Sequence, residues 1–314
     1  MKTILGTGQL GLTIMETLLR NNPTENILLV NKQGRLNINL PKNVKLIGAD
    51  VTNKQQLENI ARESEVIFSC TDVPYQLWAE FYPAAASALA FALEQTSAKL
   101  VFADNLYSYG NVRGQEMTES MSHTATSKKG QIRASVIKTL LQANKTISNR
   151  VAFVKAADFI GPRIHKGVFS LNFLERLHQE HTIMLAGSLL LPHTFTYIRD
   201  FATAMINVGT ANDTFGQIWH VPNAPALNLN QWIKHFEAET GKKAKVMILP
   251  KFVVRLAGLF DPLLKELYEL AYQFEYPYLV SHHKYVSRFG NHYTNHLTII
   301  QETLQWYQSL QKTT

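Results

Sequence analysis

The chain has 314 residues, 46% of them hydrophobic and 18% charged, with a formal net charge of +7. This balance excludes a disordered chain and suits one large α/β domain or two modest ones. The cations are scattered, with no basic run beyond Lys128-Lys129 and Lys242-Lys243 and no nucleic-acid-binding module, so neither nucleic acid nor a membrane is an expected partner.

The first element is a short strand, Lys2-Thr3-Ile4-Leu5, which breaks into Gly6-Thr7-Gly8-Gln9-Leu10-Gly11 before Leu10, Ile14 and Leu18 recur at helical spacing. Strand, Gly-x-Gly-x-x-Gly turn and helix in that order give what a pyrophosphate needs. They supply a tight turn, close backbone approach and free amides at a helix N-terminus. Residues 6–11 are therefore read as a dinucleotide-binding turn. The same glycines interrupt any signal-peptide core.

The second strand, Ile27-Leu28-Leu29-Val30, ends in Asn31-Lys32-Gln33-Gly34-Arg35. An acidic residue about 20 positions after the last glycine ordinarily accepts hydrogen bonds from the adenosine ribose. Asn31 removes that carboxylate, and Lys32 and Arg35 supply two cations able to pair with a 2′-phosphate, so NADP(H) is preferred over NAD(H). The competing reading leaves both as solvated loop charges.

Apolar runs then recur at 44–47, 66–70, 99–103 and 151–157, with helical patterns at 53–63, 75–94 and 131–143. Continuous apolar strands separated by helices indicate an α/β fold with a doubly wound parallel sheet, the Rossmann arrangement. Cys70 ends the run at 66–70 and is read as a small hydrophobe beside the cofactor groove. As the single cysteine it excludes an internal disulfide and is compatible with a reducing compartment, so a cytoplasmic location is expected. The apolar stretches 83–93 and 252–264 are short or interrupted by Arg255 and Asp261, below the about 18 residues a spanning helix needs.

After Gly161-Pro162 the alternation loosens, with a helical pattern at 169–180, a strand at 218–221 and then mostly helix-compatible sequence. The expected division is a nucleotide domain over 1–165, completed by about 194–221, and a smaller, mostly helical substrate region over 166–314. Phe260-Asp261-Pro262 followed by Leu263, Leu264, Leu267, Leu270, Ala271 and Phe274 reads as a capped helix. Its apolar stripe is assigned to the core because no concentrated basic face accompanies it.

Several landmarks in order resemble the extended short-chain dehydrogenase/reductase superfamily, in its NAD(P)-dependent epimerase/dehydratase branch, over most of the chain. They are the glycine turn, Gly48-Ala49-Asp50-Val51, Asp104-Asn105-Leu106-Tyr107-Ser108-Tyr109-Gly110, Asp158-Phe159-Ile160-Gly161-Pro162, and the segment from His193 to Asp200. The resemblance implies that Asp50 and Val51 contact adenine and that Asp158 and Phe159 line the nicotinamide side. Cys70 and Thr71 are counted with the cofactor-binding residues, and Tyr75, Asp104 and His193 with the substrate.

Members of that superfamily use Tyr-x-x-x-Lys, whose lysine holds the nicotinamide ribose and lowers the tyrosine pKa. None of the twelve tyrosines here has a lysine four positions later. Judged by spacing from Gly110, Lys129 stands in the tyrosine's place and Arg133 in the lysine's. Arg133 can hold ribose or phosphate oxygens, whereas Lys129 serves as acid or base only if burial depresses its pKa. Asn105 replaces the family's helping Ser/Thr and can donate a hydrogen bond to a carbonyl oxygen without exchanging protons. Tyr107, at the carboxyl end of the fifth strand where open α/β sheets bind ligands, is the candidate acid, with Lys129 in reserve. The bland alternative packs Tyr107 and Tyr109 against neighbours and ties Asp104 to loop amides.

Eleven histidines include His282-His283 and the pair His292 and His296, but no cysteine or carboxylate cluster completes a ligand set, so no metal is expected. No serine-hydrolase elbow or Walker loop occurs. The expectation is an NADP-dependent oxidoreductase or epimerase-like enzyme moving hydride to or from a small hydroxyl or carbonyl substrate. The rival is a catalytically inactive NADP(H)-binding redox sensor or regulatory protein. The oligomeric state stays open, a homodimer among the options.

Overall fold

The computed structural model describes residues 1–257, 266 and 268–312. Two units emerge. The first comprises Met1–Gly110, Ser122–Ala156 and Phe201–Val221, and the second Asn111–Met121, Ala157–Asp200 and Pro222–Thr314.

Strands of the first unit are β1 (Lys2–Leu5), β2 (Ile27–Asn31), β3 (Val44–Gly48), β4 (Val66–Ser69), β5 (Lys99–Asn105) and β6 (Val151–Ala156). Those of the second are β7 (Asp158–Ile160), β8 (Thr182–Ala186), β9 (Pro192–His193) and β10 (Phe195–Tyr197). The chain then returns to the first unit for β11 (Ile218–His220) before β12 (Leu227–Asn228) and β13 (Lys245–Leu249) in the second. Seven strands make one sheet in the order β11-β6-β5-β4-β1-β2-β3, every pair parallel. The winding direction reverses between β1 and β4, the place where such sheets open a ligand crevice. Ile4 is registered with Leu29 on one side and Phe68 on the other, and all three are fully buried. Helices on both faces of the sheet explain why these strands read as continuous apolar runs.

Helices α1 (Gln9–Asn21), α2 (Lys54–Arg62), α3 (Trp78–Glu94) and α4 (Lys128–Asn144) flank this sheet, with most of α6 (Ile198–Thr210). Asn53 caps α2 by accepting from the Gln56 amide, and Ser127 caps α4 by accepting from Gly130. The Ser127 cap starts α4 three residues before the apolar periodicity does. The expected helix over 75–94 opens instead as a 3-10 turn, Tyr75–Leu77. Leu57 and Ile60 of α2 join Trp78, Tyr82, Ala85 and Leu89 of α3 and Val136 and Leu140 of α4 in one apolar cluster with the strands.

In the second unit β7 pairs with β10, β9 with β12 and β8 with β13, three two-stranded pairings that the sequence pattern did not announce. Among the described residues its helices are α5 (Leu171–His178), α7 (Leu229–Thr240), α8 (Lys251–Ala257), α9 (His283–Phe289) and α10 (His296–Gln311). Of the apolar stripe expected after Phe260, residues 260–265 and 267 lie outside the described residues, and Ala271–Phe274 form a 3-10 turn. Asn295 caps α10 at His296, so His292 precedes that helix rather than sharing a face with His296. Among the described residues no helix is long and apolar enough to cross a membrane, and no three potential ligand side chains gather as a metal site.

The glycine turn is held by backbone-on-backbone packing. A Cβ on Gly11 would stand 1.9 Å from the Gly6 carbonyl oxygen, and Gly6 itself has φ +98°. A Cβ on Gly8 would meet nothing within 4 Å. We expect G11A to destabilise the protein by about 1–3 kcal/mol, because neither backbone segment can yield. G8A should cost under about 1 kcal/mol, the difference between Gly and Ala as N-cap. Urea unfolding of the two variants measures both.

Candidate functional site

The first unit gathers its polar groups at the carboxyl ends of the parallel strands. Helix α1 begins at Gln9 with Gly8 as its N-cap residue, which has no side chain with which to cap the first turn. Leu10 is buried and Gln9 exposed. Asn31 joins the turn to the end of β2. Its Nδ2 donates to Thr7 Oγ1 at 2.9 Å and to the Arg35 carbonyl at 3.0 Å, and its Oδ1 accepts from the Gln33 and Gly34 amides. A neutral amide is needed here, since a carboxylate could accept but not donate.

Lys32 reaches Asp50 across this edge, Nζ to Oδ2 3.0 Å. Asp50 is held down to a pKa of about 2, first by the Thr52 hydroxyl, then by the Thr52 amide and Lys32. The Lys32 side chain is 80% exposed, so this ion pair contributes little to stability. Val51 is buried beside it. At the end of β4, burial pushes the Cys70 thiol up to about 12, which removes it as a nucleophile at neutral pH. Thr71 follows, its amide nitrogen 2.8 Å from where a Gly6 Cβ would stand, and its buried hydroxyl has no hydrogen-bond partner.

A second cluster forms where β5 and β6 end. Lys155 is fully buried on β6 and donates to Asp104 Oδ2 at 2.5 Å, to the Asn105 carbonyl at 2.9 Å and to Ser108 Oγ at 3.0 Å. One ammonium thus closes the loop that carries Asn105 and Tyr107. Burial pulls its pKa below the ordinary lysine range, and the Asp104 carboxylate pulls the other way. Ser108 also bonds His123 Nδ1 at 3.1 Å, and the Tyr109 hydroxyl bonds His220 Nε2 at 2.8 Å. Burial, then the Lys155 charge, lowers the pKa of His123 to about 4, so it is neutral at physiological pH.

Arg133 of α4 lies on the other side of Asp104, Nη1 to Oδ1 3.5 Å, an ion pair too long for a hydrogen bond. Its Nη2 donates to the Tyr82 hydroxyl at 2.9 Å, which in turn donates to Asp72. The guanidinium carbon stands 3.9 Å from the Tyr82 ring centroid and 4.6 Å from that of Trp78. Burial works against this charge, and Tyr82, Asp104 and Asp72 outweigh it, raising the pKa. Arg133 Nε is buried without a hydrogen-bond partner. Lys129, one turn earlier, is buried with Nζ 5.0 Å from the centre of the Tyr75 ring. The Tyr75 and Tyr107 hydroxyls are 3.2 Å apart, and Trp78 stacks on Tyr107 at 6.1 Å. Asn105 Oδ1 accepts from the Tyr107 amide at 3.1 Å, leaving its Nδ2 as the donor group.

In the second unit, His193 Nε2 and Asp158 Oδ2 are 2.9 Å apart. The imidazole lies between the rings of Phe274 and Tyr278, at 4.6 and 4.8 Å and nearly parallel to both. Asp158 and His193, singled out separately in sequence, are therefore one hydrogen-bonded pair, with Phe159 next along β7.

The structure brings Tyr75, Asp104, Asn105, Tyr107, Lys129 and Arg133 into one cluster. Sequence reasoning passed over Lys155, Tyr82, Trp78, Ser108 and His123. For Lys155 the signal was present, a lone charge inside the apolar run Val151-Ala152-Phe153-Val154-Lys155-Ala156. We expect K155M to destabilise the protein by about 3–5 kcal/mol, because it strands a buried carboxylate. The double variant K155M/D104N should be less destabilised than the two single effects added together, by about 1 kcal/mol or more. Chemical denaturation of the four proteins measures the coupling.

No curated protein matches the sequence. In structure the chain is similar to dTDP-glucose 4,6-dehydratase from Bacillus anthracis in complex with NAD, at 17% identity and TM-score 0.81, covering 99% of this chain and 98% of that one. It is similar to UDP-glucuronic acid 4-epimerase from Bacillus cereus in complex with UDP-glucuronic acid and NAD, at 14% identity and TM-score 0.81, covering 99% and 100%. A third likeness is UDP-glucose 4-epimerase from Thermus thermophilus in complex with NAD, at 16% identity and TM-score 0.77, covering 98% and 99%. At these identities the likeness carries the fold alone. The family model matches residues 4–221, more than half of the chain, and the chain belongs to the NAD dependent epimerase/dehydratase family.

Proposed function

We propose that this protein is an NADP-dependent oxidoreductase or epimerase-like enzyme acting on a small hydroxyl or carbonyl compound. The observation that carries the reading is the glycine turn, with Gly8 as the N-cap of α1 opening on space, the Thr71 amide against Gly6 and the buried Thr71 hydroxyl without a hydrogen-bond partner. These groups fit a dinucleotide pyrophosphate, which needs backbone donors and no Cβ. Similar structures carry NAD, and one holds UDP-glucuronic acid as well. The preference for a 2′-phosphate rests on this chain's own Asn31, Lys32 and Arg35. The single cysteine, Cys70, supports a cytoplasmic setting.

When bound, the nicotinamide carrier supplies or accepts the hydride. Tyr107 exchanges the proton with the substrate oxygen, Asn105 Nδ2 donates a hydrogen bond to that oxygen, and the Tyr75 hydroxyl 3.2 Å away continues the proton path. Lys129 packs its ammonium against the Tyr75 ring, Nζ 5.0 Å from the centroid, and so holds the ring of that pair in place. Arg133 holds Asp104 in place rather than acting as a proton carrier, since a guanidinium keeps its proton.

One observation favours the sensor reading. Arg133 is bound to Tyr82 and Asp104 and packed against Trp78, so the position that would assist a catalytic tyrosine is spent on the fold. Turnover separates the two.

Calorimetric titration should give NADPH at least about tenfold tighter binding than NADH, and K32A/R35A should remove most of that difference. Equal affinities would leave both cations as solvated loop charges. G8A, folded as argued above, should weaken both nucleotides by about tenfold or more, because its methyl group fills the approach to the turn. On a panel of carbonyl, sugar-nucleotide and steroid substrates, Y107F should lower kcat by about 10²–10⁴-fold without changing nucleotide affinity. No turnover, with unequal binding of NADPH and NADP, decides for the sensor.

A further inference from the structure

We propose that the second unit carries a docking surface for anionic phospholipid, formed by β8, β13 and α8, and that the protein binds such membranes reversibly without spanning them. The inference is independent of the nucleotide site. In the β8–β13 ladder Met184 is registered with Met247, and both are about half exposed, at 50% and 46%. Alternation along the strands puts Thr182 and Lys245 on the same outward face. Pro250 leads directly into α8, where Phe252 and Leu256, one helical turn apart, are 65% and 56% exposed. Leu190, after β8, is more exposed still. Isolated exposed apolar residues need no explanation, but these five large ones in two neighbouring strands, the loop after β8 and one short helix do.

Charge selects the occupant. From Lys242 to Ala257 the chain carries Lys242, Lys243, Lys245, Lys251 and Arg255 and no acidic residue. Among the described side chains of this group Lys243 pairs with Glu237 at 3.4 Å, an exposed and weak contact. A second copy of the same face would set these cations against each other, so self-association is disfavoured. Bulky apolar side chains with cations around them match the headgroup region of a bilayer. The apolar tips enter the acyl boundary while the cations reach the lipid phosphates. The seven residues of α8 are too few to anchor alone, so binding is reversible and sensitive to salt. The basic residues read as scattered along the chain; the ladder puts Lys245 on the same face of β13 as Met247.

Flotation of the full-length protein with phosphatidylcholine vesicles, with and without about a quarter phosphatidylglycerol, tests this. The expected result is at least about tenfold stronger retention on the anionic vesicles, falling as salt rises through about 0.5 M. M247E and F252E should each lower retention about tenfold or more, and K245E/R255E should act similarly, with melting temperatures unchanged. M184E repeats the test from the neighbouring strand should one variant fail to fold. Absence of binding, equal binding to both vesicle types, or retention unaffected by these substitutions overturns the proposal. So does a concentration-dependent dimer abolished by M247E in sedimentation, which assigns the face to a second copy. Binding to soluble polyglutamate as tight as to vesicles and insensitive to F252E overturns it in favour of an acidic protein.

Discussion

The approach of α1 to the end of β1 is the constraint on which the nucleotide-binding unit depends. Gly11 lies against the Gly6 carbonyl with no room for a methyl group, and that contact sets the angle at which the helix leaves the sheet. Once the angle is fixed, the first amides of α1 converge on one point above the crevice between β1 and β4. Asn31 extends the same geometry to the next strand by bonding Thr7 on one side and its own turn on the other. A single backbone contact therefore aligns the glycine turn with the end of β2.

A different force organises the far side of the crevice. Asp104 is shared by Lys155 and Arg133, two buried cations from different elements, β6 and α4. Such an arrangement gains little net stability over an apolar core, but it permits few alternatives, because any shift leaves a buried charge unpaired. Since Lys155 also holds the Asn105 carbonyl and Ser108, the loop between β5 and its following turn is fixed from three sides. The Tyr107 phenol is presented from that fixed loop, with Tyr75 and Trp78 against it.

The parts of the fold that repeat a simple physical rule were legible in the chain. Strands buried on both faces gave uninterrupted apolar runs, and the glycine turn announced itself by spacing and by the elements around it. Two-residue and three-residue strands such as β9 and β7 carry no period long enough to read, so the second unit's small ladders were invisible. The site was half legible. Asp104, Asn105, Tyr107, Lys129 and Arg133 were found because their spacing matched a known pattern and then departed from it. Tyr82 and His123 were missed because their partners, Arg133 and Ser108, are brought close only by tertiary packing over 51 and 15 positions of chain. Likewise the union of Asp158 with His193 needs the β7–β10 ladder, which sequence alone does not disclose.

The position of β11 has a bearing on biosynthesis. It completes the large sheet beside β6, yet more than sixty residues, including β7 to β10, come between the two strands. While the ribosome is still making that stretch, β6 is an edge strand with its outer amides and carbonyls unpaired, open to pairing with another nascent chain. A fragment ending near residue 165 would keep that open border permanently. Only when Ile218–His220 have emerged is the border closed, by a strand whose His220 is also hydrogen-bonded to the Tyr109 hydroxyl.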